Sequence, residues 1–314
     1  MQANPYMKLN RIEFMATYQC TGRCKHCSVA PLLNQPNGDK HVRAEPAAQA
    51  IHALCQQHEI SSVMAFGGEP LLYPEAVCAL YKSAAACGIP ARQIITNGYF
   101  TKQDARRRQV AFDLARSGVT QVLLSVDAFH QETIPVKAVH AFARDCIEAG
   151  IPDLKLQPAW VVNAQHDNPY NERTRKALSQ FSDLGIPINE GNNIFLMGNA
   201  RIHLAQFYEA TALDLTAPCG SMPYSAPLTE VSALSIIPNG DVTVCGGFTI
   251  GNIYEQDILG IVSRYDPYAN DAMRAVLTGG VPALCDYAEA RGIHIDPSEH
   301  LNACEVCRAI AREL

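Results

Sequence analysis

Residues 87–98, CGIPARQIITNG, contain a pattern that predicts the fold because it recurs three more times along the chain. In each copy a glycine is followed by a proline or a β-branched residue and then by an apolar run; the other copies start at Ser117, Ala149 and Leu184. Glycine suits the left-handed end of a helix, the next residues oppose its continuation, and the apolar run fits a buried strand. Each copy therefore predicts the end of a helix followed by a strand.

The spacing of these copies indicates a repeated unit. Their glycines, Gly88, Gly118, Gly150 and Gly185, lie 30, 32 and 35 residues apart, the length of one strand plus one helix. Upstream, residues 11–17 and 61–66 predict two more strands, and residues 46–58 and 74–87 predict amphipathic helices that begin at proline.

Six strands that alternate with helices predict an α/β fold, a partial (β/α)6 barrel of the TIM type. We expect the barrel to occupy residues 1–200 and a small α+β extension to occupy residues 201–314. Catalytic residues of such barrels lie at the carboxyl ends of the strands. There the chain places three cysteines, then Gly-Gly-Glu, then further polar residues, which are Asn97, Ser125, Asp127 and Asn163.

The composition indicates an ordinary soluble globular protein. The net charge is −6, and 48% of the residues are hydrophobic and 18% charged, so neither nucleic acid nor an anionic membrane is an expected partner. No signal peptide or membrane span is evident, which predicts a cytoplasmic protein. In that compartment disulfides explain twelve cysteines poorly. The isolated cysteines Cys55, Cys78, Cys87 and Cys146 are predicted to be buried core residues.

Cys20, Cys24 and Cys27 follow the first predicted strand with the spacing C-x3-C-x2-C. Such a loop can bind three irons of a four-iron cluster and leave the fourth iron open. Zinc, with His26 or a distant residue as the fourth ligand, is the alternative. After the second strand, Gly67 and Gly68 allow the backbone to approach a ligand closely, although Gly-Gly-Glu-Pro alone could be only a tight turn.

Together these motifs resemble the radical S-adenosylmethionine enzymes over residues 8–196. The resemblance implies that S-adenosylmethionine chelates the open iron of a [4Fe-4S] cluster, and that reductive cleavage yields a 5'-deoxyadenosyl radical. It also implies an anaerobic enzyme and an electron donor such as flavodoxin or ferredoxin. By the same resemblance His26 packs near the adenine, Gly67, Gly68 and Glu69 bind the methionyl amine, and further cofactor contacts come from Asn97, Ser125, Asp127 and Asn163.

The last third of the chain predicts a hairpin that leads to a second metal site. Residues 236–245, IIPNGDVTVC, alternate around a Pro-Asn-Gly-Asp turn and end at Cys245. Cys219 precedes this hairpin, and Cys304 and Cys307 form a C-x2-C pair near the end of the chain. Four thiolates suffice for a second [4Fe-4S] cluster or for a structural zinc ion.

This region resembles the twitch and SPASM extensions of radical S-adenosylmethionine enzymes. The matching features are Gly240 followed by Cys245, the segment GNI at residues 251–253, and the final C-x2-C. A full SPASM extension holds two clusters, so four matching cysteines indicate one auxiliary cluster. Cys285 is left over; it is interpreted as a packed thiol or as a catalytic donor of a hydrogen atom.

The leading hypothesis is radical modification of a peptide or protein, such as epimerisation or the formation of a thioether or crosslink. Because few residues precede the first strand, a leader-binding domain is expected only as a separate partner. The alternatives are a twitch-type dehydrogenase of a small-molecule alcohol and, in another class, a metal- or cluster-binding module without catalysis.

Overall fold

The computed structural model describes residues 4–34, 39–209, 213–222, 225–245, 247–300 and 302–314. Its central sheet has eight strands, which in chain order are β1 (Met7–Thr17), β2 (Ser62–Gly67), β3 (Ala91–Thr96), β4 (Gln121–Ser125), β5 (Asp153–Gln157), β8 (Val231–Ile236), β9 (Asp241–Val244) and β10 (Phe248–Asn252). Two short strands, β6 (Ala159–Trp160) and β7 (Asn192–Asn193), pair with each other.

The described α-helices alternate with the strands through the first five units. They are α1 (Ala44–Cys55), α2 (Pro74–Ala86), α3 (Asp104–Arg116), α4 (Val136–Glu148), α5 (Pro169–Ser179), α6 (Asn199–Leu204), α7 (Ile258–Ser263), α8 (Asp271–Glu289) and α9 (Ala303–Glu313). Gly280 interrupts α8 with a positive φ of 69°.

The sheet order is β10-β9-β8-β1-β2-β3-β4-β5, and every neighbouring pair from β8 to β5 is parallel. Side chains such as Ile12, Phe14, Val63, Ile94 and Leu124 are fully buried in the core. Strands that are covered by helices need such apolar runs. The predicted α/β fold with a parallel central sheet is therefore confirmed.

The repeated glycines have the predicted conformation. Gly88, Gly118, Gly150 and Gly185 have φ values of 73°, 85°, 77° and 62°, each at the end of a helix or helical turn. A side chain at such a position strains the backbone, which explains why the chain uses glycine where each helix stops.

The sixth strand is shorter than predicted. Ile188 forms only an isolated parallel bridge with Leu156, and the pairing then resumes between β7 and β6. Pro158 separates β5 from β6 because it has no N–H to donate. Gly191 faces it, and a Cβ at Gly191 would lie 2.5 Å from the Pro158 carbonyl oxygen.

The C-terminal hairpin extends the same sheet. β8 and β9 are antiparallel with Ile236 opposite Val242, which confirms the predicted hairpin. β8 is also parallel to β1, with Phe14 opposite Ile236. Residues 231–236 thus lie directly beside the strand that carries the cysteine loop, while the proposed domain boundary stays a prediction.

Two of the isolated cysteines are less buried than predicted. Cys78 and Cys146 are buried, as expected, but Cys55 and Cys87 are only half-buried. Cys55 is the last residue of α1 and Cys87 directly follows α2, so each lies at the carboxyl end of a helix. Among the described helices, none is both long enough and apolar enough to cross a membrane.

Candidate active site

The cysteine loop begins directly after β1. Cys24 is buried, and Cys20 and Cys27 are half-buried. The Gly22 N–H donates to Cys20 Sγ over 3.3 Å, and a Cβ at Gly22 would lie 3.3 Å from Cys24 Sγ and 3.7 Å from Cys20 Sγ. The thiols of Cys20 and Cys24 therefore flank the same glycine.

The sulfurs of Cys20, Cys24 and Cys27 do not all lie within 4.8 Å of one another. Among the described residues, the one group of three metal-ligating side chains with ligand atoms within 4.8 Å of one another is Cys24, His26 and His130. A tetrahedral zinc ion with Zn–S bonds of about 2.3 Å brings its sulfurs to about 3.8 Å from one another. Cys20, Cys24 and Cys27 do not form such a compact set, and their choice of metal stays a prediction.

Gly67, the last residue of β2, and Gly68 lie against the start of the cysteine loop. The N–H of Gly68 donates to Thr17 O and the N–H of Glu69 donates to Gln19 O, both over 2.7 Å. A Cβ at Gly67 would lie 2.6 Å from Thr17 O, and one at Gly68 would lie 2.1 Å from Gln19 O. Any side chain here would separate the ends of β1 and β2, so the close approach requires glycine.

Glu69 connects the ends of β2 and β3. Its buried carboxylate accepts hydrogen bonds from Leu71 N–H (2.9 Å), the Thr96 hydroxyl (2.7 Å) and Asn97 N–H (2.8 Å). Burial raises the pKa of Glu69, although these three hydrogen bonds oppose the shift. The carboxylate thus fixes the backbone of the site, and its predicted contact with a methionyl amine stays a prediction.

Asn97 extends from the end of β3 to the cysteine loop. Its side-chain nitrogen lies 3.2 Å from Thr21 Oγ1 and 3.8 Å from Cys20 Sγ, while its side-chain oxygen accepts from Tyr99 N–H over 2.8 Å. The first three strands therefore bring Asn97, Glu69 and Cys20 into one region.

The turn after β4 carries an Asp127–His130 pair in which Asp127 is buried and His130 is half-buried. Asp127 Oδ1 accepts from the backbone N–H groups of Phe129 and His130, both over 2.9 Å, and Asp127 Oδ2 lies 2.8 Å from His130 Nδ1. Burial raises the pKa of Asp127, but the charge and hydrogen bond of His130 outweigh burial and lower it to about 2. Burial lowers the pKa of His130, but the charges of Asp127 and then of Cys24 outweigh burial. Together they raise the pKa of His130 well above the usual value of a histidine.

His26 and His130 flank Cys24. The His26 ring lies 4.8 Å from the Phe129 ring and 5.0 Å from that of His130, between ring centroids. Burial lowers the pKa of His26 to about 4, and its enclosed Nδ1 has no hydrogen-bond partner in the described part of the chain. His130 was not predicted, although it follows Asp127 by only three residues.

Ser125 and Asn163, which were both predicted to contact the cofactor, lie in different surroundings. Ser125 is buried at the end of β4, next to the Asp127 turn. Asn163 Oδ1 instead accepts from the backbone N–H groups of Gln165 and His166, over 3.0 Å and 2.9 Å. It thereby holds its own loop, and its predicted role with the cofactor stays a prediction.

A second residue missed by the sequence analysis, Asn199, holds the cysteine loop. Its backbone N–H donates to Cys27 O over 3.0 Å and its side-chain nitrogen donates to Cys24 O over 3.2 Å. The preceding Gly198 has φ 56°, and a Cβ there would lie 2.6 Å from Cys27 O. The segment after β7 is therefore packed directly on the loop.

The four C-terminal cysteines Cys219, Cys245, Cys304 and Cys307 line one cavity. Burial and then the nearby thiols of Cys245, Cys219 and Cys304 together raise the pKa of Cys307 to about 12, although Arg308 opposes the shift. None of these four sulfurs belongs to the compact metal-ligating group of described residues, which is Cys24, His26 and His130. Cys285 is half-buried on α8 and does not line this cavity.

Arg308 lines the same cavity and connects it with the barrel rim. Its Nη1 lies 3.8 Å from Met197 Sδ, two residues before Asn199. Its Nε is enclosed and has no hydrogen-bond partner in the described part of the chain.

Comparison with known sequences identifies the segment that carries the first cysteine site. The sequence model of the Radical SAM superfamily matches residues 15–200, more than half of the chain. The GTP 3',8-cyclase of Moorella thermoacetica is 24% identical over 163 residues, which cover 50% of this chain and 48% of the relative. A probable GTP 3',8-cyclase of Saccharolobus islandicus is 23% identical over 185 residues, which cover 57% and 54%. The chain spans about half the length of these curated relatives.

Comparison with solved structures supports the fold over the whole chain. The structure of native anSMEcpe with bound AdoMet aligns with a TM-score of 0.51 and 14% sequence identity. The alignment covers 96% of this chain and 96% of that chain. At this identity the similarity concerns the α/β architecture alone.

Proposed function

Because this chain belongs to the radical SAM superfamily, we propose that Cys20, Cys24 and Cys27 bind its [4Fe-4S] cluster and that S-adenosylmethionine binds at the open iron. When bound, the reduced cluster supplies one electron that splits S-adenosylmethionine into methionine and a 5'-deoxyadenosyl radical, which takes a hydrogen atom from the substrate. The observation that carries this proposal is the hydrogen-bonded contact between the cysteine loop and the Gly67–Gly68–Glu69 segment.

The chain's own residues position these groups. Gly67 and Gly68 allow the ends of β1 and β2 to approach closely, because a Cβ at either position would overlap the backbone. The N–H groups of Gly68 and Glu69 donate to Thr17 O and Gln19 O, so the carbonyl groups of this segment suit the methionyl amine of the cofactor. Asn97 hydrogen-bonds to Thr21 and Asn199 hydrogen-bonds to Cys24, so both orient the loop, and His26 presents an aromatic face suited to an adenine ring. Ser125 suits the ribose or the carboxylate.

Cleavage of S-adenosylmethionine tests this function and the non-catalytic alternative together. Reconstituted protein is reduced anaerobically with dithionite, and 5'-deoxyadenosine is quantified after S-adenosylmethionine is added. We expect Cys24→Ala to abolish the product. Cys78→Ala is the matched control because Cys78 is equally buried but lies on α2, remote in sequence from the loop. Product from Cys24→Ala equal to that of the control would refute the cluster assignment.

We propose that Cys219, Cys245, Cys304 and Cys307 bind an auxiliary [4Fe-4S] cluster. Four thiols line one cavity, and their sulfurs do not form a compact group within the described residues. Zinc would draw them to about 3.8 Å from one another, given Zn–S bonds of about 2.3 Å, whereas a cluster bridges wider gaps.

Metal content tests the auxiliary site. We expect about eight irons per reconstituted chain, four in each cluster. Cys307→Ala should lower this to about four, and Cys285→Ala, which changes a thiol outside the cavity, should leave it unchanged. Zinc bound in place of the second set of irons in the unmodified protein would contradict the auxiliary cluster.

For the reaction itself, we propose hydrogen abstraction from a peptide or protein, as in epimerisation or the formation of thioethers or crosslinks. Cys285 retains the proposed role of a hydrogen-atom donor in such a reaction. A small-molecule substrate is the second candidate, including an alcohol oxidised by a twitch-type dehydrogenase, and the curated relatives' names, GTP 3',8-cyclase, favour a small molecule.

A protease distinguishes these substrate classes. Cell extract is separated by size, and each fraction is tested for stimulation of 5'-deoxyadenosine release above the rate without extract. Stimulation that is lost when the extract is digested with protease supports a peptide substrate. Stimulation that survives digestion and stays in the smallest fraction would overturn it in favour of a small molecule.

A further inference from the structure

A pair of cysteines connects the ends of the first two helices. Cys55 is the last residue of α1, and Cys87 directly follows α2. The helices are joined nearby, because the Ser83 hydroxyl donates to Ala48 O over 2.9 Å. Cys55 lies one helical turn after His52 on α1, and the His52 ring contacts Cys87, so the two half-buried thiols lie near each other.

The exposed side chain of His52 adds a third group to this pair. His52 Nδ1 lies 3.7 Å from Cys87 Sγ, and His52 Nε2 lies 3.2 Å from the side-chain nitrogen of Gln56. The Gln56 amide donates to Nε2, which leaves the ring proton on Nδ1, directed at the Cys87 sulfur. The imidazole therefore places a hydrogen-bond donor beside the Cys87 sulfur.

The pair lies away from both proposed cluster sites. Helices α1 and α2 end where the chain enters β2 and β3, whereas the cysteine loop follows the carboxyl end of β1. The pair is therefore at the opposite end of the parallel strands. It is also distinct from the compact metal-ligating group of the described residues. Cys87 is accessible from solvent, since the neighbouring Gly88 is exposed and a Cβ there would contact nothing within 4 Å.

We propose that Cys55 and Cys87 form a reversible disulfide by exchange with a low-molecular-weight disulfide such as glutathione disulfide. The Cys87 thiolate attacks one glutathione sulfur, forms a mixed disulfide and releases one glutathione thiolate. Cys55 then attacks the Cys87 sulfur, the Cys55–Cys87 bond forms, and the second glutathione leaves. Two protein thiols are oxidised by two electrons, one glutathione disulfide is reduced to two glutathiones, and the two thiol protons pass to these leaving groups.

The roles of the two thiols follow from their surroundings. Burial and then the hydrogen bond with Cys87 raise the pKa of Cys55 to about 12, which disfavours Cys55 as the first nucleophile. Cys87 has the imidazole donor beside it, so Cys87 attacks first and Cys55 resolves. The disulfide would cross-link α1 to α2 and leave the site at the other end of the strands in place.

Mass spectrometry of the reconstituted protein tests the proposal. The protein is incubated anaerobically with glutathione disulfide, free thiols are alkylated, and digests are analysed without reduction. We expect a Cys55–Cys87 cross-linked peptide that retains no glutathione and is reversed by dithiothreitol. Cys78→Ser serves as the matched control and should form the same crosslink.

Two variants separate the steps. Cys55→Ser should retain one glutathione on Cys87, because the resolving thiol is absent. In the Cys55→Ser background, His52→Ala should slow this modification roughly tenfold, because it removes the hydrogen bond from the imidazole to the attacking sulfur. A stable mixed disulfide at Cys87 in the unmodified protein, or no reaction at either cysteine, would overturn the proposal.

Discussion

The side-chain nitrogen of Asn199 donates to the carbonyl oxygen of Cys24 over 3.2 Å, across a sequence separation of 175 residues. The backbone N–H of the same residue donates to Cys27 O over 3.0 Å. The cysteine loop is therefore fixed from two directions, by the Gly68–Glu69 segment after β2 and by the amino end of α6.

Substitution of Asn199 by alanine should loosen the cluster without removing a ligand. Loss of one hydrogen bond costs about 1 kcal/mol, which corresponds to roughly fivefold faster loss of iron to a chelator. The rate is followed anaerobically by the decay of the cluster absorbance. His203→Ala, an exposed change on the same helix, is the control, and equal rates for the two variants would contradict the role of Asn199.

Replacement of Glu69 by glutamine tests the link between β2 and β3. The Glu69 carboxylate accepts all three hydrogen bonds, since Oε1 accepts from Leu71 N–H and the Thr96 hydroxyl and Oε2 accepts from Asn97 N–H. In glutamine one of these oxygens becomes an NH2 group, which is a donor and cannot accept the hydrogen bonds made at that position. We expect the free energy of unfolding to fall by about 1–3 kcal/mol, measured with urea. Glu45→Gln, on the exposed start of α1, should change it little. A Glu69→Gln variant as stable as that control would show that the buried network is unimportant.

Gly68→Ala should be more damaging than alanine at a comparable turn glycine. The new Cβ would lie 2.1 Å from Gln19 O, so the end of β1 must move. A Cβ at Gly150 has nothing within 4 Å and meets only the strain of a positive φ. We expect a cost of about 3 kcal/mol or more for Gly68→Ala and about 1 kcal/mol for Gly150→Ala. Urea unfolding of both variants measures this difference, and a smaller cost at Gly68 would contradict the close packing.

Much of the fold is predictable from the sequence because its signals are local. The left-handed glycines at 88, 118, 150 and 185 each end a helix or helical turn, and a buried apolar run follows the first three. The fourth run is different, since its polar residues and Gly191 leave only the two-residue strand β7. Local apolar periodicity does not reveal that Pro158 and Gly191 interrupt the pairing of the fifth and sixth strands.

The site itself is predictable only in part, because its supporting contacts are long-range. The spacing of Cys20, Cys24 and Cys27 is visible in eight consecutive residues. The hydrogen bonds of Asn199 depend instead on how the far end of the barrel returns to this loop. The sequence motif predicts Glu69 as a ligand-binding residue, whereas in the structure its carboxylate binds three groups of the protein.

Electron paramagnetic resonance of Cys307→Ala tests the central claim most directly, because this variant removes one ligand of the proposed auxiliary cluster. The dithionite-reduced protein is measured before and after S-adenosylmethionine is added. We predict a reduced four-iron cluster signal whose g values change on addition, since the cofactor binds an iron that lacks a cysteine ligand. A cluster signal unaffected by S-adenosylmethionine, or zinc in place of iron at Cys20, Cys24 and Cys27, would contradict the account.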